Sequence, residues 1–400
     1  MRIALVSYEY PPDTAVGGIA TYTQQWAKML LQRGHSVEVF CASTTRSTMG
    51  VEEGVFVNRV LEKDRSLFKK TILILFAERH ESNKFDFMEC PEFGCDALYI
   101  KSAFPKIRLI VKLHTPSYLV NELNSNHHEI TFFEKIRFIL GSYRRFKIPK
   151  KYWNNLEIKN NQEKTFTLSA DFITSPSQSL KLIVSQKWKI PLDRVVHLPN
   201  PFIPDSKYLA ICSSHLGSAI TYVGRLEKRK GILLLYKVIP KVLKRFPTAK
   251  FRFIGKDTIL YNEKMSCKEF LLKELALFKE NLDFIEHVDL EKIPQYLMDA
   301  KFCVFPSVWE NFPTVCLEAM SASRAVIGSM NGGMEDMLSN PMAGVLIDPQ
   351  NEEEFANAIC FLLENEEEII RLGSQARESV LMKYNSEQIC GVFEQMLEGH

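Results

Sequence analysis

The chain has 400 residues, 46% of them apolar and 24% charged, with a formal net charge of +2. That is ordinary for a globular protein with core enough for two or three domains, and it argues against wholesale nucleic-acid binding. Nine cysteines, with no C-x-x-C pair and no histidine at zinc spacing, fit reduced thiols better than a disulfide framework.

The opening stretch, MRIALVSYEYPP, has an apolar run only from Ile3 to Val6 and lacks the profile of a signal peptide. The run Thr71 to Ala77 is far too short to span a membrane. A cytoplasmic protein is expected. A strand over 3–7, a loop through Gly17-Gly18, a helix over 21–33 and a strand over 36–40 make a β-loop-α-β unit. Gly17 and Gly18 let backbone approach a phosphate or sugar closely. Alone, such a pair is as readily a turn, and the full G-x-G-x-x-G of a dinucleotide site is absent.

Further units follow. A strand piece at 55–57 and a helix over 67–80 precede a strand over 85–89, whose end carries Glu92 in P-E-F-G. After a helix over 94–103, a strand over 108–113 ends in His114. A histidine there points into a ligand cleft or serves as a hydrogen-bonded structural residue. His127 and His128 lie in a polar loop and read as surface. Residues 132–153 interleave seven cations with aromatic and aliphatic residues, Glu134 being the sole acid. That pattern fits peripheral contact with anionic lipid, or a solvated helix face with snorkelling side chains.

A helix over 154–169, a strand over 171–174 and a helix to 187 lead to a strand at 195–198. The irregular stretch 201–216, with Pro201 and Pro204, marks the expected hinge. Past it, a strand over 219–223 runs into Gly224-Arg225-Leu226-Glu227-Lys228-Arg229-Lys230-Gly231 and a helix to 245. Arg225 and Lys230 set two cations near a helix start, suited to a diphosphate leaving group, or simply form a basic turn. Strand 250–254 ends at Gly255, which opens room for a base or ribose. Strand 282–285 ends near His287 and Val288. A strand over 302–305 then leads to a loop with Glu310, Asn311 and Phe312. Pro313 and Thr314 suit the first turn of a helix through Met320, with Glu318 in its second turn. Two carboxylates around an anion-binding helix end suit a ligand with both phosphate and hydroxyls. Acidic residues favoured by the macrodipole are the plainer reading.

The run P-S-x-x-E-N-F-P-T-V-x-L-E-A-M, with Glu310 and Glu318 eight apart, resembles the signature of the retaining GT-B glycosyltransferases of family 4. V-G-R-L-x-x-x-K-G, L-H-x-P, the paired glycines at 17 and 18 and the return loop Asn331-Gly332-Gly333 extend the resemblance over nearly the whole chain. It implies an α/β GT-B protein: two Rossmann-like, doubly wound domains facing a cleft, at 1–205 and 206–377, with 378–400 crossing back to the first. The donor implied is a UDP-, GDP- or ADP-sugar, and the acceptor a sugar or lipid-linked glycan. Glu310 would hold sugar hydroxyls beside the backbone of Asn311, Phe312, Pro313, Thr314 and Val315, and Glu318 the ribose. Arg225 and Lys230 would stabilise the departing diphosphate. Gly224 and Gly255 would make room, His287 and Val288 would read the base, and Gly17, Gly18 and His114 would face the diphosphate, donor sugar and acceptor. No D-x-D pair is present, and no metal or other cofactor is expected. One departure is E-N-F-P where many members read E-G-F-G, so sugar identity stays open. A nucleotide-sugar 2-epimerase of the same fold fits the E-x7-E spacing less well. A catalytically silent nucleotide-sugar binder fits the intact site residues less well.

Overall fold

The computed structural model describes residues 1–14, 17–124, 152–260, 264–286, 288–339 and 342–398. The basic segment 132–153 falls outside them but for its last two residues, and His287 lies outside as well. By internal contacts the chain forms two units, Met1–Ser175 with Val184–Val196, and Pro176–Ile183 with His197–His400. The lasting change of unit comes at Val196/His197, before the irregular stretch at 201–216, and residues 378–400 count with the second unit.

The first unit is built on an eight-stranded sheet. Its strands are β1 Arg2–Val6, β2 Ser36–Ser43, β3 Thr48–Glu52, β4 Val55–Leu61, β5 Phe87–Pro91, β6 Arg108–Lys112, β7 Phe172–Ser175 and β8 Val195–His197. The order is β3-β4-β2-β1-β5-β6-β7-β8. β1 pairs parallel with β2 and β5, and β3 pairs antiparallel with β4. Ile3, Ala4, Leu5 and Val6 are all buried, as a strand covered on both faces requires. β3 was not foreseen. Its side chains alternate between half-buried and exposed, so it lacks an apolar signature. β5 begins two residues later than expected. Phe85 stacks in a cluster with Phe40, Phe76 and His80, and the Asp86 carboxylate accepts from the Arg2 N–H at 2.8 Å. The shift places Glu89 inside the strand and Glu92 directly past its end.

The second unit holds a six-stranded, wholly parallel sheet: β9 Ala219–Val223, β10 Lys250–Ile254, β13 Leu282–Ile285, β14 Ala300–Phe305, β15 Val326–Ser329 and β16 Val345–Ile347. A small hairpin supplies β11 Ile259–Leu260 and β12 Met265–Ser266. The sheet order is β13-β10-β9-β14-β15-β16. Helix Leu235–Arg245 buries Leu235, Val238, Ile239, Val242 and Leu243, at i, i+3, i+4, i+7 and i+8, in one core with Phe251 and Phe253. Each such side chain contributes about 2 kcal/mol of burial. The closing helices are Glu352–Glu364, Glu366–Lys383 and Ser386–Glu398. Among the described residues no helix is long and apolar enough to cross a membrane.

Both sheets have a point where the winding reverses, between β1 and β5 in the first unit and between β9 and β14 in the second. Ligands of open α/β sheets bind at the carboxyl ends of strands at such points.

Candidate active site

In the second unit, the loops after β9 and β14 meet at the reversal. Val308 N–H donates to the Arg229 carbonyl at 3.0 Å. Gly231 has φ +71°, and a Cβ there would lie 1.7 Å from the Pro306 carbonyl oxygen. Gly332, at φ +100°, stands likewise against the Glu310 carbonyl, 2.0 Å from where its Cβ would be. Gly333 N–H donates to that same carbonyl at 2.8 Å. No side chain fits at either position, so three loops close to backbone contact around Glu310. Gly224 and Gly255 continue the ladder past the strands, their N–H groups donating to Ile254 and Ile285 carbonyls at 2.8 and 3.0 Å.

The side chains form a charge ladder. Glu310 is only 8% exposed. Its Oε1 meets Lys230 Nζ at 2.6 Å and Arg229 Nη1 at 3.0 Å. Arg229 Nη2 donates to Glu227 Oε1 at 2.8 Å, and Arg225 Nη2 reaches the same oxygen at 3.4 Å. Lys230 is therefore on Glu310, whereas Arg225 is two charges away with its side chain 59% exposed. Sequence reading missed Arg229 and Glu227. The available signal was Glu227 standing two residues from each arginine, on the short turn that ends at Lys228–Lys230.

Helix Thr314–Ser321 starts one residue later than expected. Pro313 is its N-cap, with ψ 105° in the extended region, and no side chain caps the end. The N–H groups of the first turn thus have no side-chain acceptor among the described residues. Phe312 packs edge-on against Tyr384, ring centroids 5.7 Å apart. Asn311 Oδ1 accepts from Ser177 Oγ at 2.8 Å. Glu318 is half-buried in the second turn, and its carboxylate has no hydrogen bond or ion pair among the described residues. Burial pushes it up to about 7. Val288 is half-buried past β13.

In the first unit, Gly17 is the exposed N-cap of helix Gly18–Gln32, again with no side-chain cap. The helix begins three residues before its expected start, so Gly18 is its first residue. His114 lies just past β6, buried, with its ring edge-on to Tyr22 at 4.9 Å. Burial, then the Lys112 and Arg65 charges, lower it to about 3, so its ring is neutral. Its backbone N–H donates to Glu92 Oε2 at 2.8 Å. Glu92 is fully buried and pushed up to about 8 by burial and then by the Glu163 charge. Its Oε1 has no partner among the described residues. Beneath them Glu89 accepts from Tyr22 Oη at 2.5 Å and Trp26 Nε1 at 3.0 Å. Sequence analysis had assigned Glu89 and Lys112 only to strands.

A family model described as "Glycosyltransferase Family 4" matches residues 16–206, and one described as "Glycosyl transferases group 1" matches 217–379. An uncharacterised glycosyltransferase of Methanocaldococcus jannaschii is 25% identical over 401 residues, 97% of this chain and 96% of that one. A glycogen synthase of Mycobacterium tuberculosis is 21% identical across 96% of this chain and 91% of its own. Among solved structures, sucrose-phosphate synthase from Thermosynechococcus elongatus superposes with a TM-score of 0.70 at 19% identity, over all of both chains. HepE of Anabaena in complex with UDP does so at 0.67 and 15%, again over all of both. With two doubly wound units and both halves matched, the chain belongs to the GT-B glycosyltransferases, as an enzyme with family 4 and group 1 domains.

Proposed function

We propose that the protein is a metal-independent, retaining transferase that moves a hexose from a nucleotide-diphosphate sugar to an acceptor hydroxyl in glycan, polysaccharide or glycolipid synthesis. The observation that carries the reading is the second unit's reversal point. It sets the helix N-terminus and the Glu318 carboxylate, uncapped and unpartnered among the described residues, and the Lys230–Glu310 pair at the ends of two neighbouring strands. Each has a complementary part in such a donor. The helix N–H groups and Lys230 take phosphate oxygens. Glu318 accepts from ribose hydroxyls. Glu310 accepts from sugar hydroxyls. Gly224, Gly255 and Val288 border the base, and His287, outside the described residues, is assigned to it on the sequence pattern alone.

In the reaction the bond from the anomeric carbon to the phosphate oxygen breaks as the acceptor oxygen bonds to that carbon from the same face. The acceptor proton passes to the departing phosphate. Negative charge grows on the diphosphate during this step, so cations fixed beforehand favour the transition state over the ground state. Lys230 and Arg225 supply that charge in place of a metal ion. The first unit binds the acceptor near Gly17, Gly18 and His114, whose neutral ring donates or accepts without changing charge. Peripheral contact with the inner face of a membrane through 132–153 belongs to the same proposal, on the sequence pattern alone.

The test is calorimetric titration of UDP-, GDP- and ADP-sugars without added metal, on wild type and Glu318→Ala. One donor that binds wild type and weakens by about tenfold or more in the variant supports the reading. Binding by none of them would leave a catalytically silent protein as the better account.

A further inference from the structure

We propose that Arg229 is a positioning residue that holds two carboxylates at once, Glu227 and Glu310, and so leaves the outer cations Arg225 and Lys230 available to the donor's diphosphate. This rests on the reading of Arg225 and Lys230 as diphosphate ligands.

The ladder contains three cations and two carboxylates. Arg229 is its middle member, Nη1 on Glu310 at 3.0 Å and Nη2 on Glu227 at 2.8 Å. A planar fork makes both bonds from one side chain in fixed directions. Its backbone is fixed as well, since its carbonyl accepts from Val308 N–H on the neighbouring loop. Its side chain is 21% exposed, against 59% for Arg225 and 17% for Lys230, so Arg225 alone of the three cations stands at the exposed rim.

The two outer contacts differ: Lys230 is nearer to Glu310, at 2.6 Å, than Arg229 is, at 3.0 Å. Arg225 reaches Glu227 at 3.4 Å, longer than the Arg229 bond to the same oxygen. Lys230 shares its Glu310 oxygen with Arg229. Each carboxylate is thus divided between Arg229 and an outer cation. An incoming diphosphate takes Arg225 and Lys230 while Arg229 keeps a hydrogen bond to each of the two acids. Without Arg229 the remaining groups form two one-to-one pairs, Arg225 with Glu227 and Lys230 with Glu310, and the diphosphate must break both. Glu310 also gains freedom at the moment it must hold sugar hydroxyls.

The experiment is titration of wild type with UDP, GDP and ADP, followed by the same titration with the tightest of these on variants, with thermal melts to check folding. Arg229→Ala is expected to weaken binding about tenfold or more. Arg229→Lys keeps the charge but loses the fixed fork, and is expected to weaken it about fivefold. Arg229→Ala with Glu227→Gln, which removes the acid that would recapture Arg225, should return to within about threefold of wild type. A direct phosphate ligand at Arg229 would not be rescued in this way. Wild-type affinity in Arg229→Lys would show that net charge alone is at work and overturn the inference. So would a double variant no better than Arg229→Ala. If wild type binds none of the three nucleotides, the nucleotide-sugar reading itself falls and takes this inference with it.

Discussion

Lys230 and Glu310 follow neighbouring strands of one sheet and bring their charges to 2.6 Å, although eighty residues of chain separate them. Gly231, next to Lys230, lies so close to the Pro306 carbonyl that the two loops cannot move apart or together without breaking backbone contact. The pair is therefore preorganised, which is what a developing charge requires of its surroundings.

Lys230→Met should lower kcat on the order of a hundredfold, with a smaller effect on donor affinity. Glu310→Gln should do the same by loosening the sugar. Because the two groups share one contact, the double variant should lose much less than the product of the single losses. Steady-state kinetics on the donor identified by titration measures all three. Wild-type turnover in Lys230→Met would remove it from the reaction.

Much of this arrangement could be read in the sequence. Apolar runs of four or five residues locate nearly every buried strand, because strands covered on both faces need no alternation. The Glu310 to Glu318 spacing, with a helix between them, follows from local pattern alone. The Arg229 bridge was not legible. It depends on which way adjacent side chains point from a short turn, and on a loop eighty residues away. β3 escaped because an edge strand with half its side chains in water carries little apolar signal. The buried charges Glu89 and Lys112 of the first unit escaped for another reason. Glu89 and Lys112 sit in strands whose neighbours are apolar, and only the pairing of β5 with β6 shows that their charges share one interior.

Glu92 makes stability depend on pH. Its value in the unfolded chain is near 4.5, and burial raises it to about 8 in the folded protein. Between those values the folded state holds a proton that the unfolded state has released. Stability is thus full at the acid end of this window and is lost progressively as pH rises toward about 8, at up to about 1.4 kcal/mol per unit from this group. Glutamine mimics the protonated acid and cannot ionise. Glu92→Gln should therefore melt higher than wild type at pH 8, with a flatter dependence between pH 6 and 8. Thermal melts across that range decide it. Parallel curves for the two proteins would mean that Glu92 is ionised in the fold and that its interior is wetter than its burial implies.

If Glu318 holds the donor ribose as proposed, donor binding has its own pH dependence, of opposite sense. The carboxylate stands at about 7 because burial disfavours its charge and no hydrogen bond or ion pair among the described residues restores it. In the proposed contact ribose hydroxyls donate to the ionised form, so a bound donor would stabilise that form and lower the value on binding. Below pH 7 a proton must leave before the contact forms. Donor affinity should accordingly rise roughly tenfold between pH 6 and 8, with proton release on binding at the lower end. A sugar nucleotide suits this measurement, since its diphosphate has no titrating proton in that range. Titrations in two buffers of different ionisation enthalpy report the proton directly. Glu318→Gln should bind weakly at every pH with no release. Equal affinity at pH 6 and 8 in wild type, or a pH dependence that survives in the glutamine variant, would separate Glu318 from the ribose and move the hydroxyl contact to another residue of the loop or helix.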